Sequence, residues 1–366
     1  MRALALTETR DHVCGRYRIH AFRPALEACG WTLEVQAIEK GLLGRRRQFD
    51  RAGEFDAVLL QRKLLPAWQL GQLRRRARFL LFDFDDAVLY RDSYDPRGPH
   101  CPRRAARFRG VMQMADAVVA GNDFLADCAL RSGARADAVR VIPTCIDLGL
   151  YPPRNAEREG CGPGIDLAWI GSSSTLAGIE SRRATWDRVG AEVSGSRLRL
   201  ICDRTADLGA LPVVTVPWSS ATEAAELGAA DVGVSWVPDD LWSQGKCGLK
   251  VLQSMAAGLP AVANPVGVHP EMIRPGETGL LAETADEWVE AIRSLRDDPE
   301  RRLAMGRAAR LSVEAGYSVS AWAPTFVGAV SGRARPPAPK YRQIPTDARA
   351  LRPPVAPPFG ARPPGP

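Results

Sequence analysis

The sequence predicts an α/β protein built from two doubly wound parallel-sheet domains. Three observations carry that expectation. Short apolar runs alternate with helix-length amphipathic stretches through the first 145 residues. The stretch Thr144–Gly164 then loses periodicity and is rich in Gly and Pro, and after it the same alternation restarts. The chain therefore divides into an N-terminal domain (1–145), a linker (146–164), a C-terminal domain (165–315), a closing helical segment (316–332) and a tail (333–366). At 366 residues it is long enough for two separate cores.

In the first half the candidate strands are Ala3–Leu6, Thr32–Ile38, Asp56–Gln61, Phe79–Phe82, Ala117–Ala120 and Val139–Ile142. Tyr17–Cys29, Pro66–Arg76, Arg103–Ala115 and Asp123–Arg131 have helical composition and length between them. The arginine runs Arg45–Arg47 and Arg74–Arg76 fall on expected helices, where a solvated face is the default reading. In the second half the expected strands are Asp166–Ile170, Arg197–Cys202, Val213–Val216, Asp231–Trp236, Ala261–Ala263 and Gly279–Leu281. Helices are expected at Glu180–Val193, Thr222–Leu227, Lys250–Ala257, Asp286–Leu295, Glu300–Ala315 and Val319–Val330. The last of these is apolar, with Trp322 and Phe326, and needs a surface to cover.

Ligands of doubly wound sheets bind outside the carboxyl ends of the strands, so post-strand residues are the candidate sites. After the first strand, Gly15 and Arg16 lie in a basic, polar loop before a helix. After the fourth comes Asp83-Phe84-Asp85-Asp86, three carboxylates in four positions that repel one another unless partnered. Salt bridges to arginine, an N-cap, and a catalytic or acceptor-hydroxyl site are the competing roles for them. After Asp166–Ile170 the loop Gly171-Ser172-Ser173-Ser174-Thr175 offers hydroxyls and backbone donors to a phosphate. It is not a dinucleotide fingerprint, because G-x-G-x-x-G is absent.

The stretch Trp242–Asn264 is the most informative. A polar loop with Gly245, Lys246 and Gly248 enters the amphipathic segment Lys250–Ala257, which Gly258 ends before an apolar strand. Basic residues at a helix N-terminus make a phosphate site, although capped helices with merely solvated lysines look the same from spacing alone.

Net charge is +7, but 333–366 holds seven basic residues against Asp347 alone, together with eleven of the 29 prolines. The body is thus nearly neutral, which argues against nucleic acid as a partner. The tail reads as disordered or polyproline-like, with solubility or contact with an anionic membrane as its roles. No apolar run reaches the roughly 18 residues of a membrane span and no signal-peptide core is evident, so the expected location is cytoplasmic, peripheral to the inner membrane face if the tail binds there. The eight cysteines form no C-x-x-C pair, so reduced thiols and no metal are expected.

These residues resemble the glycosyltransferases with two facing Rossmann-like domains, the GT-B fold, and in particular a bacterial branch of glycosyltransferase family 4. The resemblance is strongest in DVGVSWVPDD, GKCGLKVLQSMAAGLPAVANPVGVHPEMI and PGETGLLA between Asp231 and Ala282. It extends to Asp83–Asp86, Ala120-Gly121-Asn122 and Val141–Thr144 with Asp147. It implies transfer of a sugar from a UDP- or GDP-linked donor, with retention and without a cofactor or metal, to a lipid-linked, glycan or small-molecule acceptor, as in polysaccharide or glycoconjugate synthesis.

Residue by residue, the resemblance would place Lys250 on the diphosphate with Lys246 sharing its charge, and Gln253 on the ribose. Gly248 would let the backbone approach the donor, Gly171, Ser172 and Ser173 would face the phosphates, and Trp218 would lie near the base. Asp85, Asp86 and Lys250 would serve catalysis, with Gly15, Arg16 and Asp83 on the acceptor side. The final helix would cross back over the N-terminal domain. Two departures stand out: the family's paired glutamates fall at Gly245 and Gln253, so neither is an acid here. They leave a catalytically silent nucleotide-sugar-binding partner, or a GT-B epimerase, as rival readings.

Overall fold

The apolar runs of the first half form six parallel strands: β1 (Arg2–Thr7), β2 (Thr32–Ala37), β3 (Ala57–Gln61), β4 (Leu80–Phe84), β5 (Ala117–Ala120) and β6 (Val139–Val141), in the order β2-β1-β3-β4-β5-β6. The second half forms β7 (Ile165–Ile170), β8 (Ser196–Ile201), β9 (Val213–Val216), β10 (Val232–Ser235), β11 (Ala261–Ala263) and β12 (Gly279–Leu281), in the order β12-β11-β10-β7-β8-β9. This computed structural model describes residues 1–9, 13–152 and 164–333; 153–163 of the expected linker and 334–366 of the expected tail lie outside the described residues. β3, β4 and β7 are buried along their whole length, which is why they read as unbroken apolar runs rather than alternations.

A parallel sheet must be covered on both faces. Helices Leu42–Asp50, Ala67–Arg76, Pro102–Met114 and Asp123–Arg131 cover one face of the first sheet through Phe49, Leu70, Leu73, Phe108 and Leu125. The other face receives Phe22 and Leu26, together with Trp322 and Phe326 from the chain's final helix, Val319–Val330. The Phe22 and Phe326 rings stack with centroids 4.3 Å apart, so the last helix crosses back onto the N-terminal sheet. Trp186 and Trp288 meet edge to face at 4.9 Å on the second sheet. Among the described residues no helix is long and apolar enough to cross a membrane.

Several local expectations are corrected. Tyr17–Cys29 is not one helix: Val13–Arg18, a 3₁₀ turn His20–Phe22 and Arg23–Ala28 follow one another, the last beginning around Pro24. Gly15 and Arg16 therefore lie on a helix, not in a loop. β4 runs two residues further than expected, which puts Asp83 inside the sheet. Gly171–Thr175 is not all loop, since helix Ser173–Glu180 begins within it, and a second helix, Arg183–Glu192, replaces most of the single helix expected there.

Candidate functional site

The two sheets meet across the carboxyl ends of their strands, and helix Leu249–Ala256 sits at that seam. Its inner side, with Val251, Leu252, Met255 and Ala256, is buried in the core of the C-terminal domain. Gly248 starts it in the left-handed region (φ 62°), and a Cβ there would lie 2.4 Å from the Met272 sulfur, so only glycine fits. The half-buried Lys250 lies over Trp169, its ammonium 5.4 Å from the ring centroid. Gly171 makes room for that stem, because a Cβ at 171 would come within 2.9 Å of Lys250 Cε. The Lys246 ammonium stands 6.0 Å from the Trp242 ring centroid. Among the described residues neither ammonium has a carboxylate within ion-pair distance. Burial, and then the like charge of Lys246, pull the Lys250 pKa down to about 8.

Across the seam stand Asp85 and Asp86, held by Arg62, a residue that the sequence reading passed over although it directly follows β3. Arg62 has a left-handed backbone (φ 57°). Its guanidinium lies 2.6 Å from Asp86 and 3.4 Å from Asp85, and it donates to the Cys14 thiol. Burial raises the Asp86 pKa against the opposing charge of Arg62 and the weaker charges of Lys246 and Lys250. Cys14, Asp85 and Asp86 bring three potential metal-ligating atoms within 4.8 Å of one another. The Arg62 guanidinium already supplies positive charge to that group.

Asp83, placed on the acceptor side from the sequence, points away from this cluster. Side chains alternate along β4, so Phe82 and Phe84 face one core while Leu81 and Asp83 face the other. Asp83 is fully buried against Arg18 at 2.6 Å, and Arg18 also donates to the Ile142 carbonyl. It is an interior anchor between the first helix and the sheet.

Gln253, expected on the ribose, is buried and bonded across the seam. Its Nε2 donates to the phenol oxygens of Tyr17 (3.0 Å) and Tyr151 (3.1 Å). Both phenols donate to Glu223 Oε1, at 2.9 and 3.0 Å. Arg16 pairs with the same oxygen at 2.8 Å, and the half-exposed Trp218 indole donates to Glu223 Oε2 at 2.9 Å. Arg16 thus reaches into the C-terminal domain instead of facing open acceptor space. The sequence gives no signal for Glu223, since its partners lie up to 207 positions away.

Gly245 abuts the N-terminal domain. A Cβ there would lie 2.6 Å from the Ala87 Cβ and 2.7 Å from its backbone nitrogen. Cys247 packs on Gly121 and hydrogen-bonds the Asp85 carbonyl at 3.2 Å, while Asn122 Nδ2 donates to the carbonyls of Gln244 and Lys246 at 3.1 Å each. Gly121 and Asn122, part of the sequence resemblance, are therefore contacts between domains.

On the other side of Lys250, the start of helix Ser173–Glu180 is already capped. Asp203, immediately after β8, accepts from the Ser173 backbone at 2.8 Å and from its hydroxyl at 3.0 Å. Ser172 remains exposed, its hydroxyl 2.8 Å from that of Ser174.

Two Rossmann-like domains facing each other, with the last helix crossing back, make this the GT-B fold. The chain resembles the group 1 glycosyltransferases: residues 233–312 match the family described as Glycosyl transferases group 1. Sucrose-phosphate synthase from Thermosynechococcus elongatus superposes with a TM-score of 0.69 at 19% identity, over 88% of this chain and 96% of that one. Anabaena HepE in complex with UDP and glucose superposes with a TM-score of 0.66 at 16% identity, over 90% and 99%. At such identities the likeness concerns the fold. In sequence, the D-inositol 3-phosphate glycosyltransferase of Pseudarthrobacter chlorophenolicus is 33% identical over 52% of this chain and 49% of its own length. A GDP-mannose-dependent monoacylated alpha-(1-6)-phosphatidylinositol monomannoside mannosyltransferase of Corynebacterium glutamicum is 42% identical over 19% of each chain. The chain spans about half the length, or less, of these two relatives.

Proposed function

We propose that the chain is an enzyme that transfers a sugar from a UDP- or GDP-linked donor to an acceptor hydroxyl. The observation that carries this reading is the pair of ammonium groups, Lys246 and Lys250, gathered at the start of helix Leu249–Ala256 with no carboxylate partner among the described residues. Fixed positive charge at a helix start suits the diphosphate leaving group, whose charge grows as the sugar's bond to it breaks.

The chemistry balances without a side-chain base. The bond from the anomeric carbon to the diphosphate oxygen breaks, the acceptor oxygen bonds that carbon on the same face, and the acceptor's proton passes to a phosphate oxygen. Configuration is retained. Asp85 and Asp86, turned by Arg62, orient the acceptor hydroxyl or balance charge. The positive charge of Arg62, Lys246 and Lys250 supports a reaction without a metal ion or other cofactor.

The acceptor is a lipid-linked, glycan or small-molecule hydroxyl, and the setting is cytoplasmic synthesis of cell-surface polysaccharide or glycoconjugate. The basic tail contacts the anionic inner membrane face. The names of the Pseudarthrobacter and Corynebacterium relatives support this choice of substrates.

A second reading, a nucleotide-sugar-binding partner without turnover, is favoured by Gly245 pressed against Ala87 and by Gln253 satisfied by two tyrosines. Incubation with UDP- and GDP-sugars and a panel of acceptors, with mass-spectrometric detection of products, tests the choice. Glycosylated acceptor and free nucleoside diphosphate in equal amounts are expected. Calorimetric donor binding with neither product would favour the silent partner.

A further inference from the structure

The near-neutral body conceals a strong separation of charge. Helices Leu42–Asp50, Ala67–Arg76 and Pro102–Met114 lie side by side on one face of the N-terminal sheet, since their apolar sides enter the same core. Together they carry ten arginines, three in each of the first two and four in the third, against the single carboxylate of Asp50. That is a net +9, more than the whole chain's +7, so the rest of the chain is net acidic. Arg74 and Arg76 are paired, to Asp116 and Asp50. Arg46, Arg47, Arg75, Arg103 and Arg109 are exposed and have no carboxylate partner among the described residues.

The same face has an apolar tip. Leu42, Leu43 and Trp68 are 66%, 75% and 61% exposed, and they sit in the first turns of two adjacent helices. Those helices are tied together by Arg45, whose Nη1 donates to Gln69 Oε1 at 3.0 Å. Helices of a parallel sheet begin at the carboxyl ends of its strands, so the tip lies on the edge that also carries Asp85 and Asp86. Single exposed leucines are ordinary, but three large apolar side chains grouped beside unpaired arginines are the chemistry of a membrane interface. Leucine and tryptophan enter the headgroup layer, and arginine stems lie along it while their heads meet lipid phosphate.

We propose that this three-helix face docks the chain on an anionic lipid surface, with Leu42, Leu43 and Trp68 inserted and the arginines on the headgroups. The docking rests on the N-terminal domain alone and holds whether or not the reading of the donor site does. Nucleic acid would use the arginines but has no place for two exposed leucines.

The test is sedimentation of the full chain with vesicles of phosphatidylcholine, with and without half phosphatidylglycerol, at 0.1 M salt. Two variants are compared with the parent: Leu42→Ser with Leu43→Ser and Trp68→Ser, and Arg46→Glu with Arg47→Glu and Arg103→Glu. All six positions are exposed, so thermal midpoints should match the parent. Binding to the anionic vesicles is expected, with a loss of roughly tenfold or more in partitioning for each variant. No binding by the parent, or equal binding to neutral vesicles, overturns the proposal. So does parent-like binding by both variants, which assigns the affinity to residues 334–366. Loss in the arginine variant alone, with duplex DNA displacing the parent from vesicles, would make the face a nucleic-acid surface instead.

Discussion

Gln253 donates a hydrogen bond of 3.0 Å to the phenol of Tyr17, a residue 236 positions earlier in the chain and in the other domain. With Tyr151 it ties helix Leu249–Ala256 to Glu223, a buried carboxylate that accepts from two phenols and an indole and pairs with Arg16. Glu223→Ala leaves the two buried phenols without that acceptor and Arg16 without its partner, and should cost about 3 kcal/mol in denaturant unfolding. Glu223→Gln keeps an acceptor and should cost less than half of that. Equal losses would mean that the carboxylate's charge, not its hydrogen bonds, holds the seam.

Gly245 stands where a carboxylate would be expected by family resemblance, yet even a Cβ there would lie 2.6 Å from the Ala87 Cβ. Gly245→Glu should therefore part the domains instead of adding an acid to the site. Small-angle scattering should show a larger radius of gyration for the variant, and any transferase activity should fall. An unchanged radius with raised activity would show that the seam has room for the acid.

Asp83 and Arg18 form a fully buried ion pair at 2.6 Å. Asp83→Ala strands the guanidinium and should destabilise the fold by about 3–5 kcal/mol, whereas Asp83→Leu combined with Arg18→Met should recover much of that loss. A loss below 1 kcal/mol for the single change would mean that the pair is not sealed from water.

How much of this was legible from sequence differs by element. The strands were readable because strands buried on both faces become unbroken apolar runs, as in Ala57–Gln61. Asp83 does not read as interior because Asp-Phe-Asp-Asp looks like a polar loop, while its neutralising partner lies 65 positions earlier. Helix Ser173–Glu180 escapes a sequence reading because Ser173, Ser174 and Thr175 are weak helix formers. Burial of Leu176 and Ile179 overrides that preference. Lys250 and Gly171 were each singled out by position, but only the folded chain shows one stem lying across the other residue.

The Lys250 pKa of about 8 lies below the ordinary lysine value of 10.5, so the folded protein sheds that proton before the unfolded chain does. Between these values the unfolded state binds more protons, and this group's contribution to stability rises with pH. Anion binding runs the other way, since it needs the charged form. Affinity for a nucleoside diphosphate should fall as pH rises through about 8, and Lys250→Arg should hold it to higher pH. Calorimetry from pH 6.5 to 9.5 checks both, and a flat profile for the parent would show that Lys250 does not carry the phosphate contact.

Calorimetric titration of the full chain with UDP and with GDP at pH 7 measures directly whether Lys250 receives a nucleoside diphosphate at the seam. One of the two is expected to bind, with Lys250→Ala weakening it about tenfold or more, or roughly 1.4 kcal/mol, in a variant that still melts cooperatively. Absence of binding by both nucleotides, or undiminished binding by Lys250→Ala, would contradict it.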